Sequence, residues 1–530
     1  MRARAIMILG TSSHVGKSLL TAALCRIFAQ EGYRVAPFKS QNMSLNSAAT
    51  IDGLEIGRAQ ALQAEAAGVA PSVHMNPILL KPAGDLSSQI VVRGKIWGKL
   101  SASDYHLRRV EELLPIVRES YETLAAQYEV IILEGAGSPA EINLKHHDIV
   151  NMRMAEIADA SCILVGDIDR GGVFASLVGT IELLEPTERD RIAGFLINKF
   201  RGDVKLLEPG IRMIEERLQK LCLGVVPHMP RLSLEEEDGL GFPGNDPINN
   251  PAWQFSANPE RPLRIAVIAF PSFSNFTDFD ALRSEPSVSL RFCRNKEQLQ
   301  NADVVILPGS KQTVDDLFWL RAGGLDRVLL DHARAGLVVG ICGGMQMLGE
   351  TIVDPHAIES TGACAGLGLL PIQTNMQAQK VTSNATGQLS TPLLFGQTAP
   401  NVPLSGYEIH IGETLFLKDA NPFSQLTRRT GVDRPFHQDG CISADTRIFG
   451  TYLHGLFDED GFRHFFISAA RSFHHLNLAI AFDNWKQKRD ESLNYLASTV
   501  RDSLDMPRIF AWAGLPCHSQ LETKDIEDDR

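Results

Sequence analysis

None of the eight cysteines forms a Cys-x-x-Cys pair. That excludes zinc-ribbon and disulfide-stapled scaffolds and suits a reducing, cytoplasmic setting. No stretch approaches eighteen consecutive apolar residues, so no membrane partner is expected. Met1–Arg4 and the short apolar run behind it look like a signal peptide only superficially, because that run lasts five residues. Basic charge is outweighed, with 51 Lys and Arg against 63 Asp and Glu for a net charge of −12. Without a long basic run or an RNA-binding motif, a nucleic-acid partner is not expected. Internal repeats and low-complexity tracts are absent as well. What remains is 530 residues, 44% apolar and 22% charged, enough for two or three ordinary α/β domains.

Strand-like apolar runs alternate with helical patterns up to Val226. The clearest strands are Ala5–Leu9, Val35–Lys39, Val130–Leu133, Cys162–Asp167 and Ala193–Lys199. Helical patterns cover Leu19–Gln30, Leu54–Gly68 and Tyr105–Gln127. This is the signature of a doubly wound parallel sheet. His228–Pro262 has no period and is rich in Pro, Asn, Gly and acidic residues, as a linker or exposed loop is. A second β-α series follows with Leu263–Phe270, Val304–Leu307 and Leu337–Ile341. The expected organisation is a synthetase-type domain over 1–228, a linker over 229–262, a second α/β domain over 263–466, and a C-terminal extension over 467–530. Within the extension Trp485–Leu504 is helical, and the last residues form a disordered acidic tail.

The first strand runs into Gly10-Thr11-Ser12-Ser13-His14-Val15-Gly16-Lys17-Ser18, and a helix follows. Strand, glycine loop and helix are the setting a phosphate-binding loop needs. Backbone N–H groups and the helix N-terminus cradle phosphate oxygens, Lys17 supplies a cation and Ser18 a Mg²⁺ ligand. The expected cofactors are therefore ATP and Mg²⁺. Glu134-Gly135-Ala136-Gly137 ends another strand, where an open parallel sheet binds its ligands, so Glu134 is the candidate second metal ligand. Asp148, Asp167 and Asp169 border apolar strands too. Each could be a metal ligand, a substrate contact or a helix cap, and spacing does not separate these.

Val338–Glu350 reads V-V-G-I-C-G-G-M-Q-M-L-G-E. Small residues around Cys342 allow a sharp strand-to-helix turn that presents the thiol, with the Gly343 N–H aimed at a developing oxyanion. Far downstream, R-I-F-G-T-Y-L-H-G-L-F places His454 at the end of a strand pattern. Taken singly, Cys342 reads as a small core hydrophobe and His454 as one of fifteen histidines. Together they make a nucleophile and its base.

The five-residue spacing between Gly10 and Gly16, with E-G-A-G at Glu134, resembles dethiobiotin synthetase and its relatives, which activate carboxylates with ATP. The Cys342…His454 order resembles the class I glutamine amidotransferases. That resemblance implies a thiolate that releases ammonia from glutamine, a second oxyanion loop at Leu307-Pro308-Gly309-Ser310, and a substrate contact at Gln346. One position departs from it: Leu456 stands where those enzymes carry the glutamate that orients the histidine. Some other group must hold His454, and free-standing glutaminase activity is expected to be weak.

Pro37–Ser47, Glu55–Gly68, Met75–Pro82, Asp148–Ala160 and Ile197–Asp203 resemble the cobyric acid synthase family, with both domains in the family's order. The resemblance spans about Ala5 to Phe457. It implies ATP-dependent, glutamine-hydrolysing amidation of the b, d, e and g carboxylates of a corrinoid, adenosylcobyrinic acid a,c-diamide, and a nucleotide-base contact at Asn198. Two alternatives stand beside it: an a,c-diamide synthase with the same two engines, and a P-loop regulatory ATPase carrying a non-catalytic second domain.

Overall fold

The computed structural model describes residues 3–83, 87–101, 110–230, 232, 234, 251–356, 358–359, 362–429 and 436–518, except positions 255, 257 and 480. Most of the linker expected over 229–262 and the acidic tail Glu522–Arg530 lie outside these residues, as does the start of the helix expected from Tyr105.

The first domain is built from β1 (Arg4–Gly10), α1 (Lys17–Gln30), β2 (Val35–Phe38), α2 (Arg58–Ala66), α3 (Val110–Ala125), β3 (Val130–Glu134), β4 (Ser161–Asp167), β5 (Ile192–Phe200) and β6 (Leu221–Pro227). The strands pair in the order β6-β5-β4-β1-β3-β2, and every pairing is parallel. Alternation along the central strands divides them between two cores. Met7, Leu9, Ile131 and Leu133 pack on one face; Ile6, Ile8, Val130 and Ile132 pack on the other. A strand buried on both faces has no polar side, which is why these runs read as continuously apolar.

The helix expected over Leu54–Gly68 is shorter at its start. Glu55–Gly57 instead pairs antiparallel with Ser47–Ala49. Tertiary bonds hold those residues extended: Gly57 N–H donates to Asn76 Oδ1 at 3.2 Å, and the buried Glu55 carboxylate sits between two lysines. Local helix preference loses to these contacts.

The second domain contains β7 (Leu263–Ile268), β8 (Val288–Cys293), β9 (Val304–Leu307), β10 (Leu337–Ile341), α4 (Gly343–Leu348), β11 (Ile372–Leu389), β12 (Pro403–Phe416), β13 (Ile448–Thr451) and α5 (Asp460–Phe473). Its main sheet runs β8-β7-β9-β10-β13 in parallel, with Cys441–Ile442 antiparallel on the edge. The long strands β11 and β12 form the centre of a second, mostly antiparallel sheet, whose edge is Leu453–His454. Sequence periodicity does not disclose this sheet.

The extension is not a separate decoration. α6 (Trp485–Ser503) and α7 (Met506–Trp512) return to the first domain, where Leu493, Leu496, Val500, Ile509 and Phe510 complete the core beneath α1. The rings of Phe28 and Phe510 lie 4.3 Å apart, and Arg489 pairs with Glu65 of α2 at 2.6 Å. Among the described residues no helix is long and apolar enough to cross a membrane, and all eight cysteines are free.

Candidate active site

β1 ends at the Gly10–Ser18 loop and α1 begins at Lys17. The turn into the helix passes through Gly16 at φ 95°, where a Cβ would lie 2.3 Å from the Asn198 side chain, so only glycine fits. Lys17 is buried, and its ammonium donates to the carbonyls of Ser12 at 2.9 Å and Gly137 at 3.1 Å. It is held across the loop mouth by the chain on either side. Ser18 Oγ donates to Glu134 Oε1 at 2.8 Å. Glu134 also accepts from Lys39 Nζ at 2.9 Å and from Gln63 Nε2 at 2.7 Å. These bonds bring the hydroxyl and carboxylate expected to bind metal together at the C-terminal edge of the sheet.

The other first-domain candidates divide. Asn198 does reach the loop, but its amide donates to the Val15 carbonyl at 2.8 Å and braces the loop from behind. Thr11 N–H bonds to the Val165 carbonyl at 3.0 Å, which anchors the loop's base to β4. Asp148 is occupied by a turn, with Oδ1 accepting from Val150 and Asn151 N–H at 2.8 Å each. The geometry is that of a side-chain turn leading into Met152–Ala158, whose N-cap is Asn151. Asp167 pairs with Lys199 at 3.2 Å and Asp169 with Arg201 at 3.1 Å.

β10 delivers Cys342 into a turn at φ 50°, ψ −110°, a conformation that L-residues avoid and that costs about 1–3 kcal/mol. The surroundings enforce it. Cys342 N–H donates to the Thr451 carbonyl at 2.8 Å, and a Cβ on Gly344 would lie 1.9 Å from the Leu307 carbonyl oxygen, so the helix can start only on glycine. Gly343 approaches the Ser310 amide nitrogen closely, and Gly309 lies against the His454 ring. Ser310 Oγ in turn donates to Asp316 Oδ2 at 2.5 Å, which fixes that loop. Gln346 is a buried brace. Its amide nitrogen donates to the Ile411 carbonyl and the Tyr452 hydroxyl, and its oxygen accepts from Thr313 Oγ1, all at 3.2 Å.

His454 is buried and stacked on Tyr407 at 5.4 Å. The orienting carboxylate that position 456 does not supply is Asp278. Its Oδ2 lies 2.7 Å from His454 Nδ1, and its Oδ1 accepts from Gly455 N–H at 2.9 Å. Leu456 is buried in the apolar core instead. The expectation that His454 lacks a carboxylate partner is therefore corrected: the partner comes from 176 residues upstream. Spacing could not reveal it, because an aspartate in N-F-T-D-F-D carries no motif. Burial opposes charge on His454, but the Asp278 carboxylate and the bond to Cys342 overcome it and push the imidazole up to about 10. The arrangement thus favours the protonated imidazolium of His454 at neutral pH.

The two centres meet across the domain boundary. Ser47 N–H donates to Asn275 Oδ1 at 3.0 Å, and Phe276 N–H donates to Asn46 Oδ1 at 3.2 Å. A cavity of about 980 Å³ carries Lys17, Ser18 and Glu134 at one end and Phe270, Phe273 and Phe276 of the second domain at the other.

Comparison with known proteins agrees with this two-part architecture. Residues 6–242 match the CobQ/CobB/MinD/ParA nucleotide binding domain, and residues 264–462 match the CobB/CobQ-like glutamine amidotransferase domain. A cobyric acid synthase from Thermoanaerobacter sp. (strain X514) is 47% identical over 509 residues, covering 95% of this chain and 98% of the relative. Those from Clostridium botulinum (strain Loch Maree / Type A3) and Desulforamulus reducens (strain ATCC BAA-1160 / DSM 100696 / MI-1) are each 46% identical, covering 96% and 97% of this chain. With both domains matched in order and nearly the whole length aligned, the chain belongs to the cobyric acid synthase family.

Proposed function

We propose that this chain is a carbon–nitrogen ligase that uses ATP and glutamine to amidate the b, d, e and g carboxylates of adenosylcobyrinic acid a,c-diamide. The observation that carries the reading is one segment serving both centres. Residues 270–273 and Phe276 wall the cavity that holds Lys17 and Glu134, and two residues beyond Phe276, Asp278 holds His454.

A carboxylate is a poor electrophile and ammonium is no nucleophile, so each must be activated. At the first centre ATP phosphorylates the acceptor carboxylate to an acyl phosphate, and ADP leaves. Lys17 and the loop N–H groups offset charge on the phosphoryl group as it transfers. The oxygens of Ser18 and Glu134, 2.8 Å apart, would hold Mg²⁺, which would neutralise phosphate charge. At the second centre the Cys342 thiolate attacks the glutamine carboxamide, and the oxyanion is received by Gly343 N–H and the Gly309–Ser310 loop. His454 gives its proton to the departing ammonia, and water then releases glutamate from the thioester. Ammonia displaces phosphate from the acyl phosphate, leaving the amide. If exposed, the acyl phosphate is lost to hydrolysis and the ammonia to protonation, which favours transfer through the joined interface.

An intact Asp278–His454 pair beside Cys342 speaks against the non-catalytic ATPase, and the relatives' names favour cobyric acid synthesis over a,c-diamide synthesis. Mass spectrometry of the product from a,c-diamide corrin, ATP and glutamine tests the reading. Four added amides are expected; no added amide, or amidation at a and c when cobyrinic acid is offered instead, overturns it.

A further inference from the structure

Beside Cys342 lies a small cavity closed by both domains, and its walls carry more charge than the chemistry above requires. Lys311 and Glu359 from the second domain line it, and so does Lys81 from the first. Lys380 lines it too, but its ammonium and that of Lys81 are already paired with Glu55, at 2.5 and 2.7 Å. Glu55 is therefore saturated. Lys311 is different: among the described residues no hydrogen bond or ion pair closes on its ammonium, although Lys81, Glu359, Glu55 and Cys342 all act on it electrostatically. Among the described residues the Glu359 carboxylate accepts only from Thr313, whose N–H donates to Oε2 at 2.6 Å, while the Glu359 N–H donates to Asp354 Oδ2 at 2.8 Å. The cavity thus carries, besides two lysines tied to Glu55, a lysine and a glutamate that make no ion pair with each other among the described residues.

We infer that Lys311 and Glu359 are the specificity determinants for the amino-acid end of the nitrogen donor, Lys311 receiving the α-carboxylate of glutamine and Glu359 its α-ammonium. This rests on the proposed glutaminase role of Cys342 and says which groups read the rest of the substrate. A zwitterion bridging them supplies each with the counter-charge it lacks. Burial and the nearby Lys81 hold the Lys311 ammonium below its ordinary range, and burial pushes Glu359 up to about 7. Both departures are those of charged groups desolvated ahead of a ligand. Lys81 adds to the positive field from the synthetase side, so the donor pocket is complete only when the two domains are docked.

The test compares three donors on the full chain with ATP and corrin: L-glutamine, glutaramate, which lacks the α-ammonium, and 4-aminobutanamide, which lacks the α-carboxylate. Lys311→Met is expected to raise KM for glutamine about 10- to 100-fold, the effect of losing a charged hydrogen bond, with kcat little changed. It should also erase the preference for glutamine over 4-aminobutanamide while keeping the preference over glutaramate. Glu359→Gln should show the mirror pattern, Lys311→Arg should partly restore KM, and ammonia-supported synthesis should stay intact in all three as the control for folding. Equal losses with every donor, or an unchanged KM, overturn the inference. Failure of the underlying glutaminase role looks different, because glutamine-dependent synthesis would then survive Cys342→Ala.

Discussion

The phosphate loop and the cysteine elbow solve similar geometric problems with opposite use of the chain. At the loop, nine consecutive residues, Gly10–Ser18, provide almost the whole device, and the sheet adds Glu134 from the strand beside β1. At the elbow the proposed nucleophile, base and orienting carboxylate are residues 342, 454 and 278, on three segments brought together in the fold. The first device is local and stays polar, its lysine and carboxylate both tied to neighbours. The second is assembled and buried, and its reactivity comes from desolvated charges facing one another. A local device survives displacement of its surroundings; an assembled one depends on each of them.

The strongest test of that contrast is Cys342→Ala. Glutamine-dependent synthesis should fall by up to about 10⁶-fold, as when a triad nucleophile is lost, while ammonia-dependent synthesis stays largely intact. Equal loss with both donors would break the separation of the two centres. Asp278→Asn comes next, with glutamine-dependent turnover expected to drop about 10³- to 10⁴-fold, the scale of an orienting carboxylate in a hydrolytic triad. The same variant has a pH signature. His454, raised from an ordinary 6.5 to about 10, contributes stability that is fully present below pH 6.5 and lost as pH rises through about 10. The His454 imidazolium, and with it the proton that glutaminase activity draws on, should be lost over that same alkaline limb in the wild type. In Asp278→Asn the limb should shift towards neutrality, and an unmoved profile would deny Asp278 its role.

At the first centre, Lys17→Ala or Glu134→Ala should lower amidation with either nitrogen donor by about 10²- to 10³-fold, because activation precedes attack. Near-normal ammonia-dependent rates in both would show that the nucleotide site is misassigned. Leu456→Glu, at the family's usual carboxylate position, should not raise uncoupled glutaminase activity, because His454 Nδ1 is already taken. It should instead lower stability by about 2–4 kcal/mol by burying a carboxylate in the apolar core, read as a fall in Tm. The smallest effect is expected from Arg489→Ala, about 1 kcal/mol or less for a partly exposed pair with Glu65, yet it reports whether α6 belongs to the first domain.

How far the fold and the site are legible in the sequence follows the same contrast. The central strands of both main sheets can be read within a residue or two, because burial on both faces leaves a continuous apolar run. The antiparallel sheet of β11 and β12 cannot, since its partly exposed strands mix polar and apolar residues. Motif positions mark Gln346 and Asn198 as ligand contacts, and the structure adds that both brace the backbone of their surroundings.

By itself the sequence determined the P-loop, the cysteine elbow and the two-domain order, because each depends on neighbours along the chain: a glycine spacing, a strand that runs into a helix. Only the tertiary structure decided that Asp278 orients His454, that α6 and α7 finish the first domain's core, and that Glu55, Lys81 and Lys380 form one buried cluster across the interface. Those pairings rest on charge and burial acting through space, and residues as far apart as the 176 positions between Asp278 and His454 leave no periodic trace of a contact made only on folding.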